Sequence, residues 1–369
     1  MKTISLCMIV KNESHVIERC LNSVKPLIDY VLIVDTGSTD NTIDVIKKWL
    51  IDNELPGEVI VEPWVNFCHN RSFALSELSK KEFIDYALMI DADEVLIYEE
   101  SFNPTDFKSK MSVDVYDITT SMGGMSYVRP QLTSNKKEFK YQGVVHEFLT
   151  GDVQSRENAI GFHNKPIQDS NRNRSGNKFE GDAKLLEKAI EETDDAWFKS
   201  RYTFYLAQTF RDLQRREESL KKYLERSQMG FWNEEVFVSY YNAATLMREL
   251  NYPEKDIIHT YFKGHESCPS RVECLHGLIN YCRLNGLNQI GYIFGKQAIL
   301  INKPRTALFS EEWMYDYGVL DEFSILAYYS ANYKESEDIC QKLLDGNKFP
   351  KHYTDRILSN RQFATNMLS

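Results

Sequence analysis

The first ninety residues alternate short apolar runs with segments whose apolar residues recur at helical spacing. Thr3 to Val10 is a continuous strand-like run, after which Val16, Ile17, Cys20, Leu21 and Val24 share one helix face. Tyr30 to Val34 predicts a second strand. The helix after it, reaching about Leu50, is preceded by Gly37 for a tight turn and by Ser38, Thr39 and Asp40 as caps. Glu58 to Val61 predicts a third strand, Asn70 to Ser79 a helix, and Tyr86 to Ile90 a fourth strand that runs into Asp91, Ala92, Asp93 and Glu94. Alternation along that strand end would turn Asp91 and Asp93 to one side and Ala92 to the other. Repeated units of this length imply a mostly parallel sheet with helices on both faces, binding ligands beyond the carboxyl ends of its strands.

Residues suited to that task follow each strand. Lys11, Asn12 and Glu13 come after the first, Asp35 after the second, Trp64, Phe67 and Arg71 after the third, and Asp91 and Asp93 after the fourth. A carboxylate such as Asp35 accepts from the imide of a uracil ring, and an arginine at a helix start takes a phosphate oxygen. Paired carboxylates suit a divalent cation bridging a diphosphate. Singly, Asp35 reads equally as a turn cap and Arg71 as a solvated helix residue. Their recurrence at four strand ends outlines a nucleoside diphosphate.

The pattern then becomes less regular. Val113 to Thr119 and Met125 to Leu132 predict strands, the second carrying Arg129 toward a site or solvent, and Phe139 to Leu149 predicts another that contains His146 and Glu147. Asp169 to Lys178 is polar and aperiodic, which marks a loop or linker; Arg172, Arg174 and Lys178 are placed there to close over a diphosphate or simply to face solvent. From Asp182 onward the texture is helical. Similar aromatic and small-residue patterns begin near Tyr205, Tyr241, His276 and Ser324, at a period like that of tetratricopeptide repeats, with an insertion around Pro304 to Tyr317. The aromatic stripe of Tyr202, Phe204, Tyr205, Phe210, Tyr240, Tyr241, Tyr328 and Tyr329 is expected to form inter-helix core, with sugar stacking as the other role open to it. The expected organisation is residues 1–168 as an α/β domain, 169–181 as a linker or active-site loop, and 182–369 as an all-α helical-repeat domain that also offers a surface for a homodimer.

Composition narrows the classes of partner. The 369 residues are 42% hydrophobic and 27% charged, ordinary for a folded chain, and 44 basic against 54 acidic residues give a net charge of -10. That charge disfavours nucleic acid and anionic membranes. No run is long and apolar enough for a transmembrane segment, and Lys11-Asn12-Glu13 stands where a signal-peptide cleavage site would need small residues. Seven scattered cysteines without a Cys-x-x-Cys pair fit reduced thiols and a cytoplasmic location.

The opening Ser5 to Glu13 run, the Val34-Asp35-Thr36-Gly37-Ser38-Thr39-Asp40 turn, the Asn70-Arg71 pair and Asp91-Ala92-Asp93 together resemble glycosyltransferase family 2, whose fold is the Rossmann-like GT-A fold. The resemblance covers about the first 165 residues. Within the family it leans toward lipopolysaccharide-core glucosyltransferases and bacteriocin S-glycosyltransferases with a helical-repeat tail. It implies a UDP-sugar donor, glucose or N-acetylglucosamine, and a glycan, lipid-linked or protein acceptor. Inversion at the anomeric carbon and Mn2+ or Mg2+ as cofactor are implied with them. Val10, Asn12, Glu13, Asp35, Arg71, Asp91, Ala92 and Lys178 would then line the nucleotide-sugar site; Asp93, Asp91 and His163 would hold the metal. His146 and Arg129 would face the acceptor, and Glu147 would be the catalytic base. The family's usual downstream acidic base pattern is not clearly found here, a departure from the family at the position of the base. The rival reading from another class is a repeat-protein adaptor with a degenerate, inactive nucleotide-sugar fold.

Overall fold

Residues that pack on both of their faces define the centre of the first unit. In β1 (Ile4–Val10) all seven residues are buried. Leu6, Met8 and Val10 join a core with Ile17 and Leu21, while Cys7 and Ile9 join a second core with Ala74, Leu75 and Leu78. A strand covered on both sides in this way is the middle of a parallel sheet. The computed structural model describes residues 1–122, 125–174, 176, 178–304 and 307–369, with no side chain described at 122, 125 and 126. The chain divides into two compact units, Met1–Leu185 and Leu186–Ser369.

In the first unit β1 is followed by α1 (Ile17–Val24), β2 (Tyr30–Asp35), α2 (Thr42–Asp52), β3 (Gly57–Val61), α3 (Phe67–Ser79) and β4 (Tyr86–Met89). Then come β5 (Glu94–Tyr98), α4 (Pro104–Lys110), β6 (Val115–Met122), β7 (Met125–Ser134), β8 (Phe139–Gln142), β9 (Phe148–Gly151), β10 (Arg156–Asn158), β11 (Phe162–Pro166), α5 (Asn171–Arg174) and the start of α6 (Lys178–Glu192). Among the described residues nine strands form one sheet in the order β3-β2-β1-β4-β7-β6-β11-β5, with β10 also on β6. The β3-β2-β1-β4 half is parallel, and β7 and the β5–β11 pair add antiparallel partners. This is the α/β architecture expected, with its carboxyl-end crevice beyond β1, β2 and β4.

Two local expectations are corrected. The fourth strand ends at Met89, and Asp91 to Glu94 is a turn closed by the Glu94 N–H on the Asp91 carbonyl at 3.0 Å. Strand alternation therefore does not orient Asp91 and Asp93; the turn that feeds directly into β5 does. The run from Phe139 to Leu149 is not one strand but the hairpin β8–β9, paired from Phe139 with Gly151 to Gln142 with Phe148. Gly143 at φ +100° supplies the left-handed backbone that breaks the run.

The second unit is built of antiparallel helix pairs. They are α7 (Ala196–Asp212) with α8 (Arg216–Ser227), α9 (Asn233–Glu249) with α10 (Glu254–Ser267), α11 (Glu273–Leu284) with α12 (Asn288–Ala298), and α13 (Val319–Tyr329) with α14 (Tyr333–Gly346), closed by α15 (Thr354–Asn366). Tyr205, Tyr241, His276 and Ser324 fall on the first helix of successive pairs. The insertion before α13 ends in a π-helical turn, Met314–Gly318. Small residues allow close packing: a Cβ at Gly277 would run into the Tyr261 ring. Tyr202, Phe204 and Phe210 are core, whereas Tyr329 is 63% exposed.

The inserted segment is held by a buried ion cluster. Arg271 donates to Glu273 at 2.6 and 3.1 Å, to Glu234 at 2.6 Å and to the Leu308 carbonyl at 2.7 Å, and its guanidinium lies over the Phe237 ring. The Tyr315 hydroxyl donates to Glu273 at 3.0 Å and the Leu308 N–H to Glu234 at 3.0 Å. Removing one member of such a cluster strands the other charges away from water. Arg271→Ala should therefore lower the stability of the helical unit by about 3–5 kcal/mol. Urea denaturation of the full chain measures this.

Candidate active site

Side chains bind the first two strand ends together. Asn12, at φ +57°, donates its N–H to the Ser38 hydroxyl at 2.9 Å and accepts from the Thr39 N–H at 2.7 Å. The Glu13 N–H donates to the Thr42 hydroxyl at 2.8 Å, and that hydroxyl donates to Asp40 at 2.5 Å. Thr42 and Asp40 thus serve the site as well as the helix start. Val10 is buried at the end of β1, opposite Asp35 in the β1–β2 register.

Asp35 is 1% exposed. One of its oxygens accepts from the Gly37 and Ser38 N–H groups at 2.9 and 2.8 Å, while Oδ2 is buried with no protein partner. A buried carboxylate oxygen is costly to leave unpaired.

Arg71 is the hub beyond β4. Asn66 caps α3 by accepting from the His69 N–H at 2.8 Å, so the helix begins at Phe67 rather than Asn70 and Arg71 lies within its second turn. It is not at a helix start. Arg71 is 9% exposed, donates to Asp91 Oδ1 at 2.6 Å and stands 2.8 Å from a Glu147 oxygen, with the Tyr141 and Phe67 rings 5.7 and 6.0 Å from the guanidinium. Burial opposes its charge, but the two carboxylates hold it protonated more firmly than an ordinary arginine. Burial likewise pushes the Asp91 carboxyl up, and the charges of Arg71 and Arg129 outweigh it to hold the group below the usual range. Arg129 in turn pairs with Glu94 at 2.5 Å, and Glu94 accepts from the Asp91 N–H at 3.2 Å. Tyr141, Glu94 and the hairpin turn were not foreseen as parts of this cluster, because the residues that meet here are far apart in the chain.

The segment after β11 folds onto the same site. Asp93 Oδ2 accepts from the Ser170 N–H and the Asn173 amide, each at 3.3 Å, and Glu13 accepts from the Asn171 N–H at 3.2 Å. Arg19 holds Asp169 through two bonds of 2.6 and 2.8 Å, His15 contacts the Asp169 carbonyl, and Lys178 donates to Asn173 at 3.1 Å. Arg172 pairs with Asp182 and lies over the Phe67 ring. Ser175 and Asn177, in the expected loop, lie outside the described residues. Ala92 is buried in the turn between the two aspartates.

His163 is not brought to Asp91 and Asp93. It pairs with Ile97 in the β5–β11 register, while Pro166 pairs with Glu94. Three residues of strand place it roughly 10 Å along the sheet from that end. Among the described residues no group of three or more His, Cys, Asp or Glu side chains is arranged to hold a metal ion. His146, at φ +54°, is exposed at the tip of the hairpin beside Glu147.

With this geometry in place, residues 5–100 match the family described as glycosyl transferase family 2. An uncharacterized glycosyltransferase of Rickettsia prowazekii is 43% identical over 99 residues, 27% of this chain and 30% of that protein. The SPbeta prophage-derived glycosyltransferase SunS of Bacillus subtilis is 28% identical over 151 residues, 39% of this chain and 34% of SunS. A TPR repeat-containing protein of Synechococcus elongatus is 31% identical over 154 residues, 40% of this chain and 36% of that one. Each match spans about a third of the relative's length. The family match lies wholly within the first unit, and the second unit is an array of antiparallel helix pairs. Among the described residues no helix is long and apolar enough to cross a membrane.

Glu13 gives the site a measurable pH signature. Burial pushes its carboxyl up to about 7; the Asn171 N–H opposes the shift, and the charges of Asp93, Asp40 and Asp91 add to it. The folded chain then binds a proton that the unfolded chain has released, so stability falls as pH rises from about 4.5 toward about 7. Glu13→Gln should flatten that slope in urea unfolding across this range, and an unchanged slope would assign it to other groups.

Proposed function

We propose that this chain is a glycosyltransferase that moves a sugar from a UDP donor to an acceptor nucleophile, with inversion at the anomeric carbon. The observation that carries the reading is the unpartnered, buried Asp35 oxygen in the strand-end row that also holds Asp91 and Asp93. A uracil imide N–H would satisfy it. The family match and the relatives named as glycosyltransferases support the reaction class. Glucose and N-acetylglucosamine are the sugars proposed, and a glycan, lipid-linked sugar or protein side chain the acceptor.

A divalent cation fits the donor set only as a guest of the nucleotide. Asp93 and the second oxygen of Asp91 offer hard ligands, and Mg2+ or Mn2+ commonly takes one or two carboxylates together with substrate phosphates. Such a cation would neutralise the departing diphosphate. Asp93 would exchange its bonds to Ser170 and Asn173 for that ligation. Glu147, oriented by Arg71, is proposed to take the acceptor proton as the nucleophile attacks. The Arg71 side chain, 2.8 Å away, fixes where this carboxylate points.

With manganese and a panel of nucleotide sugars, the protein should release UDP from at least one donor, and Asp93→Ala should abolish release. A chain that neither binds nor hydrolyses any donor would instead support the adaptor role. Glu147→Gln should leave donor binding within about twofold while lowering transfer about 10²–10⁴-fold in single-turnover assays. Asp35→Ala should weaken UDP binding in calorimetry, without the same loss for the free sugar.

A further inference from the structure

The helical unit carries a cleft that the transfer chemistry does not use. It lies among α13, α14 and α15, has a volume of about 430 Å³, and is lined by Tyr328, Tyr329, Tyr353 and Phe363 together with four charged side chains. Two of these rings stand open to solvent, Tyr329 at 63% and Phe363 at 57%. The charges are mutually cancelled. Arg283 binds Glu322 through two contacts of 2.5 and 3.2 Å, and Arg356 binds Asp321 through two of 2.8 and 2.9 Å while its guanidinium lies over the Tyr353 ring. Asn280 also donates to Glu322 at 3.0 Å, which fixes that carboxylate further.

Three properties select the ligand. Cancelled charges give an anion no free cation to bind, and a cation no free carboxylate. Planar guanidinium–carboxylate pairs present donors and acceptors side by side at fixed spacing, which suits vicinal hydroxyls that both donate and accept. Exposed aromatic faces beside them suit the apolar C–H face of a pyranose ring. The volume lies within the roughly 300–1,000 Å³ common for ligand clefts. From this we infer that the α13–α15 cleft is a binding site for a neutral oligosaccharide. As an acceptor subsite the cleft rests on the sugar-transfer reading; as a binding site it stands alone.

The test uses the full chain and an array of neutral glucose-, galactose- and N-acetylglucosamine-containing oligosaccharides, followed by saturation-transfer NMR on those retained. At least one oligosaccharide should bind. Tyr329→Ala with Phe363→Ala should raise its Kd about tenfold or more, with the thermal transition and donor hydrolysis unchanged. Glu322→Gln, which keeps both rings, should weaken the same ligand. Unchanged affinity in the ring variant would overturn the inference, as would a protein that hydrolyses a nucleotide sugar yet retains no neutral oligosaccharide. Oligosaccharide binding lost in the ring variant, in a protein that acts on no donor, would keep the cleft and remove the transferase reading.

Discussion

One enclosed guanidinium organises the first unit's crevice. Arg71 lies between Asp91, beyond the end of β4, and Glu147, in the β8–β9 hairpin. Each carboxylate meets the same buried guanidinium, so the two acidic groups share one cation. The hairpin's place against α3 and the direction of the Asp91 turn are therefore set by the same electrostatic demand. Any substitution at Arg71 has to be read as a change to two segments at once.

The sequence was most legible where burial repeats with a short period. The β1, β2 and β4 runs, the helix faces between them and the succession of first helices marked by Tyr205, Tyr241, His276 and Ser324 could all be read from spacing, because each is decided by neighbours in the chain. The turn at Asp35 could also be read, since Gly37 and Ser38 beside it supply its N–H groups. The antiparallel additions to the sheet were harder. β5 begins inside the acidic turn, and nothing in Asp91 to Glu94 separates a ligand cluster from a reversal of the chain.

Least legible were the meetings of distant side chains. Arg71 looked like a helix-start residue until Asn66 was seen to cap α3, and Glu147 carried no sign of its partner. His163 sits at a chain position where a ligand was expected, but the β5–β11 register carries it along the sheet and away from Asp93. In the helical unit, nothing in the spacing of Arg271, Glu273 and Glu234 marks them as partners. They meet through the returning segment near Leu308 and Tyr315, which adds a carbonyl and a hydroxyl to the cluster.

The contacts on Asp93 have a further meaning. Ser170 and Asn173 offer it neutral N–H groups, as water would, and no opposing charge. The segment after β11 behaves as a built-in solvation shell for this carboxylate, keeping it comfortable while nothing else is bound. A ligand that took their place at Asp93 would displace these two neutral donors. The occupied and empty forms of the crevice can then lie close in free energy, a condition under which a site both fills and empties readily.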